Sequence, residues 1–81
     1  GKETVRTYTE SEISSILSEL ESVSYGVILR AKGVVKGTDG WIHFDYVPGE
    51  ADVRGGTSST IGKICVIGSN IDKEKLDELF R

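Results

Sequence analysis

Lys63-Ile-Cys-Val-Ile-Gly-Ser-Asn-Ile-Asp72, continued by Lys73-Glu-Lys-Leu-Asp-Glu-Leu-Phe80, passes from an apolar strand to an amphipathic helix with almost no linker between them. Ile64 and Val66 alternate with Lys63 and Cys65, the two-residue period of a half-buried strand over Ile61–Ile67, and Gly68 closes it. Asp72 is placed to cap the helix that follows. Ile71 just before it can staple to Leu76, and Leu76, Leu79 and Phe80 form one apolar stripe. Each of these elements has one side to bury, so the helix must lie against a sheet.

Upstream, Val27 to Lys36 alternates, and the phase puts Val27, Leu29, Ala31, Gly33 and Val35 toward the helices, with Ile28, Arg30, Lys32, Val34 and Lys36 on the other side. Gly37-Thr-Asp-Gly40 marks a hairpin, because Asp-Gly accepts the positive φ angles of a tight primed turn. Trp41 to Val47 returns antiparallel with Ile42, Phe44 and Tyr46 inward and Trp41, His43 and Asp45 outward. Pro48-Gly49 breaks that strand, a short strand follows near Ala51–Arg54, and Gly55-Gly-Thr-Ser-Ser-Thr60 reads as an exposed loop.

At the start of the chain Thr4–Thr9 has the β-branched and aromatic content of a strand, and the pattern then switches to helical. Thr9 and Glu12 form a capping box, Tyr8 staples to Ile13, and Ile13, Ile16, Leu17, Leu20 and Val23 recur at helical spacing between Ser and Glu residues. The expected fold is therefore an α+β two-layer sandwich. A mostly antiparallel sheet of four to five strands carries two helices on one face, in the order β-α-β-β-(β)-β-α.

With 81 residues the chain holds one domain, spanning residues 1–81, and a domain of this size buries only about 60% of its unfolded surface. A net charge of −3 argues against nucleic acid as partner, since phosphate binding needs clustered Lys and Arg. No apolar run approaches the roughly 20 residues that span a membrane, and no signal peptide is visible before Thr4. The single cysteine, Cys65, has no partner within the chain and reads as a buried structural thiol in a cytoplasmic protein. The chain lacks methionine and opens on a strand, as expected of a domain excised from a longer protein.

No constellation of catalytic, cofactor-binding or metal-binding residues stands out. Gly56-Thr-Ser-Ser-Thr-Ile-Gly62-Lys63 resembles a phosphate loop only superficially. Its glycines are one residue too far apart, Ile64 stands where a Mg²⁺-binding Ser or Thr is required, and a strand follows where the motif needs a helix. His43 has no second histidine at ligand spacing, and the carboxylates Asp45, Glu50 and Asp52 read as a solvated turn. The outer sheet face carries the functional signal. It gathers Arg30, Lys32, Lys36, Trp41, His43 and Lys63 with Ile28, Val34 and Ile67, and a tryptophan, an arginine and exposed aliphatics on one surface are what protein interfaces are enriched in. Trp41 covering the hairpin as a cross-strand partner is the structural alternative.

Leu29-Arg-Ala-Lys-Gly33 and Ile67-Gly-Ser-Asn-Ile-Asp72, with Leu76 beyond, resemble the C-terminal domain of the CobW family of metal-handling GTPases, in which an Arg-Ala-Lys-Gly strand precedes an Ile-Gly-x-x-Ile/Leu-Asp step from strand to helix. The resemblance implies a non-enzymatic accessory domain serving cobalt or zinc delivery, with a link to cobalamin synthesis. Its partners would be an upstream GTPase domain in cis and a metalloprotein client. The resemblance puts GTP, Mg²⁺ and zinc or cobalt in the parent protein's other domain and none of them in this chain, and the chain lacks the His-rich tracts of some members. The alternative is a free-standing α+β ligand-binding or regulatory module. An enzyme acting on a small molecule ranks behind both, because no acid/base or nucleophile set is visible.

Overall fold

The computed structural model describes residues 2–81. The strand expected over Thr4–Thr9 divides in two: β1 (Lys2–Thr4) and β2 (Thr7–Tyr8). β1 runs antiparallel to β6 (Gly62–Ser69), and its last pair is Thr4 with Gly62, where β6 begins. Beyond that point no β6 backbone is left to receive its hydrogen bonds. The chain crosses instead to the overhanging end of β3 (Val27–Gly37), where Thr7 and Tyr8 pair in parallel with Lys36 and Gly37.

The first helix, α1 (Glu10–Glu19), starts where the sequence places it. Thr9 Oγ1 accepts from the Glu12 N–H at 3.0 Å and the Glu12 carboxylate accepts from the Thr9 N–H at 2.9 Å, so both halves of the capping box form. Tyr8 and Ile13 are both buried, as are Ile16, Leu17 and Leu20. The stripe does not extend to Val23. The N–H groups of Leu20, Glu21 and Ser22 bond to carbonyls three residues back, which winds the chain off the 3.6-residue period. Val23 ends 85% exposed in a 3-10 turn over Val23–Tyr25.

In β3 the expected phase holds at Ala31 and Val35, both buried, and fails before them: Leu29 is 56% exposed and Val27 is also exposed, while Ile28 is buried. A bulge is the cause. Ile28 pairs with Gly68 and Arg30 with Ile67, so two residues of β3 advance against one of β6, and Leu29 is the extra residue. Alternation carried back from Ala31 therefore points the wrong way at Leu29 and at Ile28, which it places on the outer face.

β4 (Trp41–Val47) returns from β3 through the expected hairpin, with Ile42, Phe44 and Tyr46 buried, but not through a primed Asp-Gly turn: Gly40 takes a positive φ of +141° and Asp39 does not. β5 is longer than expected. It spans Glu50–Gly56 and pairs with the whole of β4, from Val47 opposite Glu50 to Trp41 opposite Gly56, so Gly55 and Gly56 belong to the strand rather than the loop. In β6, Gly68 does not close the strand. It is a ladder residue, and a Cβ there would lie 2.3 Å from the Val27 carbonyl oxygen, so glycine serves close approach of the two backbones. The turn comes two residues later, at Asn70, whose φ is +54°.

α2 (Lys73–Leu79) is capped by Asp72, whose side chain accepts from the Lys75 N–H at 3.1 Å. The sheet order is β1-β6-β3-β4-β5, with β2 beside β3. One cluster unites Tyr8, the stripe of α1, the inward residues of β3, β4 and β6, and Leu76 and Phe80, so both helices cover the same face, as the sandwich requires. Phe80 stacks near Phe44 with ring centroids 6.2 Å apart, and its carbonyl accepts from the Tyr8 hydroxyl, which joins the two ends of the chain through the core.

Candidate functional site

The face of the sheet away from the helices is open, and the register fixes its layout. Lys32 stands between Asp45 of β4 and Cys65 of β6, Val34 between His43 and Lys63, Lys36 beside Trp41, and Arg30 beside Ile67. The tight turn at Pro48-Gly49 sets the next row, with Arg54 opposite His43 and Asp52 opposite Asp45. A shallow depression of about 520 Å³ runs along the middle, lined by Lys32, Val34, His43, Asp45, Lys63 and Cys65 among others.

The structure thus brings all six of the residues proposed for this face onto it, but gives them different surroundings. Arg30 is held by Asp45 at 3.2 Å. Asp45 also receives Arg54 at 3.2 Å, and Arg54 reaches Asp52 at 2.6 Å. Two like charges placed opposite each other in the ladder are thereby stabilised by two guanidinium groups. Partial burial pushes the Asp45 carboxyl upward, but the hydrogen bonds from Arg30 and Arg54 outweigh it and hold the group below the usual carboxylate range.

His43 turns toward the end of β5. Its Nε2 lies 2.9 Å from the Thr57 carbonyl oxygen, and its ring fills the space a side chain at Gly56 would need, with 2.3 Å between the ring and a Cβ built there. Trp41 is half-buried at the hairpin end. Lys32, Lys36 and Lys63 take part in none of the ion pairs among the described residues. They leave free positive charge on the open face, whereas on the helices Glu10, Glu12, Glu19, Glu74, Asp77 and Glu78 outnumber Lys73 and Lys75.

Ile28 is absent from this face for the reason given by the bulge, and Leu29 and Ile67 are exposed in its place. Cys65, read as a buried thiol, is half-buried and lines the depression opposite Lys32. The strand alternation that puts Ile64 and Val66 inward already implies this. The Asp45–Arg54–Asp52 network was missed for want of a β5 register, although a two-residue turn at Pro48-Gly49 makes Asp45 and Asp52 partners by counting outward.

Among the described residues no three His, Cys, Asp or Glu side chains converge as metal ligands. His43 and Cys65 sit on strands separated by β3. Among the described residues no helix is long and apolar enough to cross a membrane.

The family model described as "Cobalamin synthesis protein cobW C-terminal domain" matches residues 4–81. The chain belongs to that family. Among curated proteins and solved structures, none matches it. In this CobW C-terminal domain the two stretches that carry the resemblance meet in the sheet at Arg30 and Ile67, and the first goes on to pair with the β6 residues just before the second, Ala31 with Val66, Lys32 with Cys65 and Gly33 with Ile64. The CobW C-terminal domain is thus built around the β3–β6 ladder, and the bulge at Leu29 lies within it.

Proposed function

We propose that this CobW C-terminal domain is the non-catalytic accessory domain of a larger CobW-like GTPase that delivers cobalt or zinc in a setting linked to cobalamin synthesis. Its open sheet face docks on the upstream GTPase domain or on a metalloprotein client. The family match over residues 4–81 carries the reading. The free charges of Lys32, Lys36 and Lys63, set beside Trp41 and Val34, support the docking role and favour an acidic partner surface. GTP and Mg²⁺, with the zinc or cobalt, belong in this reading to the upstream domain.

The chain's one thiol gives the test, because Cys65 lies in the depression that docking would cover. Alkylation of Cys65 is followed by peptide mass mapping, in this domain alone and with the parent protein's GTPase domain added. The expected result is protection of Cys65 on addition, weakened by Lys32→Glu or Lys63→Glu. Unchanged alkylation in the presence of a saturating GTPase domain would remove that domain as the occupant. If none of the metalloprotein clients captured by the parent protein protects Cys65 either, the docking role fails.

A further inference from the structure

The open sheet has two edges, and they differ. At one, β1 contributes only Lys2–Thr4 and is tied to α2 by an ion pair from Lys2 to Asp77. At the other, β5 presents Glu50–Gly56 in unbroken register with β4, without a bulge, and every one of its residues except Val53 is exposed. A straight, uncovered edge of this length offers a row of backbone N–H and C=O groups to another strand, a feature that folded proteins ordinarily blunt with bulges, proline or repelling charges.

β5 does carry charges, yet their order makes them attractive to a copy of themselves. From a second β5 laid antiparallel about a two-fold axis through Val53, Arg54 falls opposite Asp52 and Asp52 opposite Arg54, twice in one interface. Gly55 and Gly56 face Ala51 and Glu50 without crowding. Moving the axis to Asp52 sets Asp52 on Asp52 while Arg54 meets Glu50, and moving it to Arg54 sets Arg54 on Arg54, so only the register centred on Val53 is free of a like-charge contact. The outward side of β5 already holds Asp52 and Arg54 in the network with Asp45, where they are ready to be shared across the edge.

We infer that β5 is a self-complementary edge through which two copies of this chain pair, joining their sheets into one with the helices on the same side. The pairing edge adjoins the open-face site, since Arg54 also lines the depression, but self-association is read without any docking partner present.

Charge reversal distinguishes this arrangement from every other. Asp52→Arg places arginine opposite Arg54 of its own copy, and Arg54→Asp places aspartate opposite Asp52, so each variant alone should be monomeric. An equimolar mixture of the two restores opposite charges at both contacts, and should dimerise. Sedimentation equilibrium of the wild-type chain, each variant and the mixture is the measurement, with circular dichroism confirming that each variant is folded. The expected pattern is concentration-dependent dimer for wild type and mixture, and monomer for each folded variant alone. A wild-type chain that stays monomeric to about 1 mM overturns the inference, as does either folded variant dimerising as the wild type does. Should a variant fail to fold, a Glu50→Lys and Ala51→Pro pair on the edge serves, with the wild-type dimer expected to weaken.

Discussion

Leu29 and Ile28 show how a single inserted residue redirects a strand. Sequence alternation assigns Leu29 to the core, but the bulge exchanges the two: Ile28 is 3% exposed and Leu29 56%. Ile28→Ala should therefore cost about 2–5 kcal/mol of stability, whereas Leu29→Ala should stay within about 0.5 kcal/mol, as an exposed position does. Urea unfolding of the two variants separates them, and equal losses would mean that the bulge is misplaced. Asp45 makes a second prediction at this scale. Its pKa is lowered by folding, so its contribution is present above the unfolded value, near about 4, and is lost as pH falls through the folded one. Glu12 has the same sign, through its hydrogen bond from the Thr9 backbone and the nearby Arg6. Stability should thus decline on the acid side. Asp45→Asn should flatten that decline in part, by less than about 1 kcal/mol because Asp45 and its arginines are half-exposed. Unfolding measured at a series of acidic pH values would show an unchanged slope if the network contributes nothing.

The elements are bounded by side-chain chemistry that is local, and this is why their starting points were legible. Thr9 with Glu12, and Asp72, satisfy N–H groups that each helix leaves unpaired in its first turn, a requirement that three or four residues decide between themselves. Thr9→Ala should lower stability by about 1 kcal/mol, and Thr9→Asp, which restores an acceptor, should recover most of it. Thermal unfolding tests both, and equal melting temperatures for Thr9→Ala and wild type would show that α1 is held by its packing alone. The ends of the elements were less legible. The 3-10 winding after Leu17, the division of the first strand at Val5 and Arg6, and the continuation of β6 through Gly68 all depend on which neighbouring backbone is in reach.

Across the whole molecule, the helix side carries a surplus of carboxylates and the open face carries Lys32, Lys36 and Lys63 free of ion pairs, so stability and docking should be separable by face. Leu76→Ala, on the covered side, should cost a few kcal/mol and lower the melting temperature. Lys32→Glu and Lys63→Glu should leave melting nearly unchanged while weakening association with the GTPase domain. Trp41→Ala, at a half-buried residue, should lower both. Calorimetric melting paired with a binding titration makes the comparison. Lysine variants that melt as early as Leu76→Ala would assign the open face to stability instead.

The sequence alone determined the two-layer α+β sandwich, both helix starts, the inward set of β4, and the resemblance through Arg30-Ala-Lys-Gly33 and Ile67–Asp72 that the family match bears out. These follow from periodicity, capping and turn chemistry, which act over a few residues along the chain. Tertiary structure decided the bulge at Leu29, the parallel pairing of β2, the full length of β5, the exposure of Cys65, and the network joining Asp45 to Arg30, Arg54 and Asp52. Each of these is settled by which backbone groups remain unpaired once distant strands have met, and no local pattern along the chain records that outcome.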